Sequence, residues 1–145
     1  MISELRVLVI DCEYMGDIMM SSAGYVEVLK NFPQAELLTR RESRELGHRW
    51  FRCVHTSWKT VGDIHMAIHF NINRNINLQM FLRRIPIRVG YAYVRPGFSL
   101  QIASRCLNVP IPIDHWTTTK GYRLDEVCDL LERAFGWKPV RKMVW

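Results

Sequence analysis

The sequence has few of the devices by which small chains staple or anchor themselves. Its four cysteines, Cys12, Cys53, Cys106 and Cys128, lie far apart and include no C-x-x-C pair. That excludes a zinc knuckle or a thioredoxin-type motif and reads as reduced thiols. No long apolar run is present either. The stretch 5–10 is preceded by Glu4 and closed by Asp11, too short for a signal-peptide core or a membrane span. The expectation is a cytoplasmic chain whose only membrane contact would be peripheral, on an anionic inner face. Blocks of five or six like charges, low-complexity tracts and internal repeats are lacking, so neither a disordered tail nor a solenoid is expected. The glycine signatures of phosphate and acyl chemistry are absent too. There is no G-x-G-x-x-G, no G-x-x-x-x-G-K-[ST] and no G-x-S-x-G, which disfavours a dinucleotide fold, a P-loop and a hydrolase elbow around Ser21 and Ser22.

What is present suffices for a core. In 145 residues, 48% are hydrophobic and 23% charged, with five tryptophans, five tyrosines and six phenylalanines, enough for one domain without bridges or metals. The formal net charge of +6 favours an anionic partner: nucleic acid, a phosphorylated glycolipid, an anionic membrane or a nucleotide. A solvated basic surface accounts for it equally well. No recognition helix or aromatic RNA-binding motif accompanies the charge, so no specific nucleic acid is expected.

Residues 5–10 (Leu-Arg-Val-Leu-Val-Ile) read as a strand buried on both faces. A turn at Met15-Gly16-Asp17 leads to apolar residues at helical spacing over 18–29, closed by Asn31 and Pro33. A second strand follows at 35–39, giving β-α-β and hence parallel pairing with a right-handed crossover. The charged segment 41–50 reads as a short helix and 53–55 as a brief strand. Over 64–70 the alternation is strict, with Ile64, Met66, Ile68 and Phe70 opposite His65, Ala67 and His69. A helix at 76–82 and a proline-opened strand at 85–91 come next. The span 92–119, with Pro96, Pro110 and Pro112, reads as loops around a short helix near 100–107. The last helix, 124–135, stops at Gly136, and Trp137-Lys138-Pro139 looks like the start of a linker. The fold class is therefore α/β: an open, mostly parallel, Rossmann-like sheet with helices on both faces. In such sheets ligands bind beyond the carboxyl ends of the strands, which directs attention to 11–17, the region after Thr39, and 71–75.

In Tyr14-Met15-Gly16-Asp17-Ile18 the glycine permits a tight bend and the aspartate stands at a helix start. Plain capping accounts for such an aspartate as readily as chemistry does. A carboxylate there would repel a phosphate, and suits a hydroxyl better.

The stretch 5–10, then Met15-Gly16-Asp17-Ile18-Met19-Met20-Ser21-Ser22, then Phe32-Pro33-Gln34-Ala35-Glu36-Leu37, resembles the opening of the heptosyltransferases, glycosyltransferase family 9. Ala67-Ile68-His69-Phe70-Asn71, the segment 83–91 and the helix 124–136 resemble later motifs of that family, in the same order. The resemblance implies two-domain GT-B architecture, with residues 1–136 as the N-terminal acceptor-binding domain and 137–145 as the start of an interdomain linker or a C-terminal tail. It implies inverting transfer to a glycan or a lipopolysaccharide-core acceptor, with Asp17 in the place of the general base. The nucleotide-sugar donor would be a co-substrate held by a second domain, supplied by another chain, and no other cofactor is expected. Position 69 is His where the family usually has Asp, and Ala23 stands where it usually has Pro. A non-catalytic α/β interaction module derived from such an enzyme is the alternative.

The remaining candidates are acceptor contacts. Besides Gly16, they are the hydroxyls of Ser21 and Ser22, His69, and the polar run containing Asn71, Ile72, Asn73 and Arg74, whose amides suit sugar hydroxyls and whose arginine suits an anion. Ser21 and Ser22 could equally cap a helical turn, and asparagines are common turn residues. His65 and His69 share a strand face, but i and i+4 on a strand are about 13 Å apart, too far to share one ion. Trp50, Trp58, Trp116, Trp137 and Trp145 offer stacking platforms for a sugar or, more simply, core and interface packing. Arg83, Arg84 and Arg88 would suit an anionic lipid or an acceptor phosphate, or a solvated face.

Overall fold

The apolar run of the first strand is split between two cores. Val7 and Val9 point into one and Leu8 and Ile10 into the other, so the strand is sandwiched on both faces. The computed structural model describes residues 5–12, 15–71, 73–93, 98–113 and 123–144. Tyr14, Ile72, Pro96, Trp116 and Trp145, named above, lie outside the described residues. The strands are β1 (Val7–Asp11), β2 (Glu36–Thr39), β3 (Val54–His55), β4 (Met66–His69), β5 (Ile87–Tyr93) and β6 (Val109–Ile113). They form one sheet in the order β3-β2-β1-β4-β5-β6, with every neighbouring pair parallel. The order reverses between β1 and β4, which puts the topological switch point there.

Helices α1 (Met15–Met20), α2 (Ser22–Asn31), α3 (Arg44–Gly47), α4 (Arg74–Leu82), α5 (Phe98–Arg105) and α6 (Arg123–Phe135) connect the strands, with 3-10 turns at Arg41–Ser43 and Trp58–Thr60. One core packs α2 and α6 on the sheet through Tyr25, Val28, Val127, Leu130 and Leu131. The other holds Met80, Ile85 and Leu107 against Leu8, Ile10 and Ala67. Where α2 crosses α6 the backbones approach so closely that a Cβ on Gly24 would lie 2.2 Å from Val127 Cγ1.

Three expectations are corrected. The single helix over 18–29 is two, meeting at a turn on Ser21, whose amide and hydroxyl both donate to the Asp17 carbonyl at 2.9 Å. Gly16 lies inside α1 with no left-handed φ and open space where a Cβ would stand, so the bend does not depend on it. The proline-bearing stretch 109–113 is a strand, not a loop. It lies at the sheet edge, and Pro110 and Pro112 alternate with buried Ile111 and Ile113, so the missing N–H groups fall on the unpaired side. A smaller departure concerns Ile64, which sits in the second core with Ala67 because β4 begins only at Met66.

Residues 137–144 run back along the domain. Trp137 stacks on Phe135 at 4.2 Å, Arg141 pairs with Asp125, Asp129 and Glu132 on α6, and the Val144 amide donates to Ser22 Oγ at 2.7 Å. Among the described residues no helix is long and apolar enough to cross a membrane.

Candidate functional site

At the carboxyl edge of the sheet the switch point is filled by a polar network of the chain's own. Asp11, the last residue of β1, is fully buried. Its carboxylate accepts hydrogen bonds from the Tyr25 hydroxyl at 2.6 Å, the Asn71 amide at 2.8 Å and Arg123 Nη2 at 3.1 Å. Arg123, the first residue of α6, also donates through Nη1 to the Phe70 carbonyl at 2.7 Å and through Nε to Ser21 Oγ at 3.2 Å. Each guanidinium nitrogen is thus used, and a buried charge is paired and hydrogen-bonded, the condition under which burial is tolerated. Burial, and next the neighbouring Asp11 charge, push the Tyr25 phenol well above its ordinary pKa, so it remains a donor.

Around this frame the sequence-predicted residues divide. Asp17 is half-buried in the first turn of α1, and Gly16 beside it is exposed. Its carbonyl receives both the amide of Ser21 and its hydroxyl, so the path Arg123, Ser21, Asp17 ties the first turn of α1 to the network. Asn73 is exposed and caps α4, its side chain accepting from the amides of Asn75 and Ile76; Arg74 follows it, also exposed. Ser21, Ser22, His69 and Asn71 are buried. They serve the domain itself: Ser21 receives Arg123, Ser22 receives the Val144 amide, and Asn71 bridges Asp11 and the Cys12 amide. His69 Nδ1 meets Asn77 Oδ1 at 2.8 Å, while its Nε2 is buried without a partner. Burial, opposed by the Asn77 bond, lowers this imidazole to about 4, so it is neutral near pH 7.

The other expected groups are drawn apart. His65 is exposed at the amino edge, where its Nδ1 accepts the Arg6 amide, and it does not meet His69. Trp50 packs on Tyr25 and Trp137 on Phe135, both core roles. Arg88 spends Nε on the Cys106 carbonyl and Nη1 on that of Ile85. Arg83 lies over the Trp58 ring and, with Arg84 and His65, borders a hollow of about 550 Å³. That hollow is at the amino ends of the strands, the opposite end from the switch point. Sequence reasoning missed the trio Asp11, Tyr25 and Arg123. Only Asp11 left a signal, as the polar residue closing an apolar strand.

This sheet, with its order and its helices, is matched by solved glycosyltransferases. A family 9 glycosyltransferase from Veillonella parvula superposes with a TM-score of 0.70 at 12% identity, over 92% of this chain and 42% of that one. The E. coli heptosyltransferase WaaC, solved with ADP-2-deoxy-2-fluoro heptose, gives 0.70 at 10% identity over 96% and 51%. The E. coli ADP-heptose lipopolysaccharide heptosyltransferase II gives 0.58 at 19% identity over 76% and 35%.

The fold is heptosyltransferase-like.

The chain spans about half, or less, of the length of these enzymes. No protein-family model matches the sequence. A search of curated proteins finds no match.

Proposed function

We propose that the chain is the N-terminal, acceptor-side half of an inverting, heptosyltransferase-like glycosyltransferase, with Asp17 as its general base. The observation that carries the reading is positional. On a sheet that superposes on family 9 transferases, Asp17 stands accessible at the carboxyl edge, just after β1, where the resemblance puts the base. In the reaction its carboxylate removes the proton of an acceptor hydroxyl. The freed oxygen attacks the anomeric carbon from the face opposite the leaving group, and the nucleoside diphosphate departs with the bonding pair. Gly16, Asn73 and Arg74 offer exposed acceptor contacts, while Ser21, Ser22, His69 and Asn71 hold the frame behind them. The donor would be held by a second domain, so the chain alone binds a glycan or glycolipid of the lipopolysaccharide core weakly and transfers nothing. The setting is the cytoplasm, with peripheral contact on an anionic inner membrane face.

The test is Asp17→Asn in an assembly that includes a donor-binding domain. Loss of general-base catalysis lowers turnover by roughly 10²–10⁴-fold with little change in acceptor binding. Unchanged turnover removes Asp17 from the mechanism. One observation favours a second reading, a non-catalytic binding module: the switch point is occupied by the chain's own ion pair. In that case no assembly with a donor domain turns over.

A further inference from the structure

Away from the switch point, on the two outer strands β2 and β3, three donor atoms of different chemistry converge. Glu36 opens β2, and Cys53 and His55 flank Val54 on β3. His55 Nε2 and Glu36 Oε1 are 2.7 Å apart, Cys53 Sγ lies 3.4 Å from His55 Nε2, and Cys53 Sγ lies 3.5 Å from Glu36 Oε1. Each ligand atom is aimed by a second partner behind it. Thr60 Oγ1 meets His55 Nδ1 at 2.7 Å, which fixes the ring so that Nε2 faces the cluster. Arg6 Nη2 donates to Glu36 Oε2 at 2.7 Å, which leaves Oε1 for the cluster. The Leu37 amide donates to the Cys53 carbonyl at 3.0 Å, so ladder hydrogen bonding pins the backbone on which the donors sit.

We propose that Glu36, Cys53 and His55 form a site for one divalent cation of the zinc class, with a water completing the tetrahedron. The set is the mixed thiolate, imidazole and carboxylate that such an ion takes. With metal–ligand lengths of about 2.0–2.3 Å, tetrahedral ligands stand roughly 3.3–3.7 Å apart. Both sulfur distances already meet this, and only the His55–Glu36 edge must open. On loading, the Cys53 thiol proton passes to solvent, and His55 binds as the neutral tautomer whose proton sits on Nδ1 and is donated to Thr60 Oγ1, so that the Nε2 lone pair and Glu36 Oε1 both face the cation. Glu36 and His55 are nearly buried while Cys53 is exposed, which provides the entry path. Behind the ligands, Thr60 and Arg6 supply the outer-shell orientation that metal sites require. The thiol is poorly suited to be a nucleophile, since partial desolvation of its sulfur and the adjacent Glu36 carboxylate raise its pKa. A cation reverses that penalty, because the same carboxylate becomes a co-ligand. Bound metal would clamp the short outer strand β3 to β2.

The experiment strips the full chain with a chelator and titrates it with Co²⁺, then with Zn²⁺. The expected result is one cobalt per chain, a thiolate-to-cobalt charge-transfer band with the intense visible bands of a tetrahedral site, and their loss when zinc displaces cobalt. Cys53→Ser, at an exposed position, should keep the fold by circular dichroism and lose the charge-transfer band. Cys12→Ser should retain it. Thr60→Val should weaken binding by roughly 10–100-fold, as expected for an outer-shell partner. No charge-transfer band in the wild-type chain, or a band that survives in Cys53→Ser, overturns the site.

Discussion

The two ends of the sheet place charged and titratable side chains under opposite conditions. At the carboxyl edge, Asp11 is sealed and Arg123 nearly so, and each is satisfied by partners from other elements. At the amino edge, the Glu36 carboxylate is shared by Arg6, half open to solvent, and by His55, beside an exposed thiol. The first arrangement is a frame, because an uncompensated charge there would be costly; the second leaves donors that a ligand can still claim. Polar residues near a switch point therefore do not by themselves mark a binding site, and access separates Asp17, Asn73 and Arg74 from their buried neighbours.

The contrast can be broken most severely at Arg123. Arg123→Ala should lower the unfolding free energy by about 3–5 kcal/mol, since Asp11 would be left buried and unpaired. Arg6→Ala, removing the more exposed ion pair, should cost no more than about 1 kcal/mol. Urea unfolding of both variants checks the difference, and comparable losses would erase the distinction between the edges.

A smaller effect should appear with pH. The folded pKa of His69 lies near 4, below the ordinary 6.5, mainly because of burial. Between these values the unfolded chain binds the proton and the folded chain does not, so this group's contribution falls as the pH drops through that window and is constant above it. Stability should decline by roughly 3 kcal/mol from this source between pH 6.5 and 4. The decline should shrink in His69→Gln, as followed by denaturant unfolding at fixed pH steps.

The smallest effect tests the turn after β1. Gly16 sits in a helix with open space around its Cβ position, so Gly16→Ala should leave the fold intact and raise stability by up to about 1 kcal/mol. Marked destabilisation in thermal unfolding would restore the view that a glycine-only bend is needed there.

Where a periodic pattern sets an element, the sequence displayed it. The alternation over 64–70 placed β4, and the apolar run at 5–10 placed β1 between two cores, because side-chain spacing is a local property. The strand β6 was hidden by Pro110 and Pro112, which break a central strand but suit the unpaired side of an edge, and edge position is not written in five residues. The break at Ser21 was hidden because the apolar spacing runs on across it, and a serine is compatible both with a helix interior and with a turn. The polar frame was the least legible part. Asp11 meets Tyr25, Asn71 and Arg123, which are 14, 60 and 112 residues away, and only the assembled sheet brings them together. Asp17 was singled out through family resemblance and position, while its tie to Arg123 through Ser21 required the fold.

The most direct test of the account is an amide NMR titration of the isolated chain with glycan fragments of the lipopolysaccharide inner core. Saturable shifts should concentrate at residues 15–17 and 73–74, on the carboxyl edge, with the hollow near Trp58 and Arg84 undisturbed. Shifts confined to that amino-edge hollow, or none at residues 15–17 at saturating glycan, would contradict it.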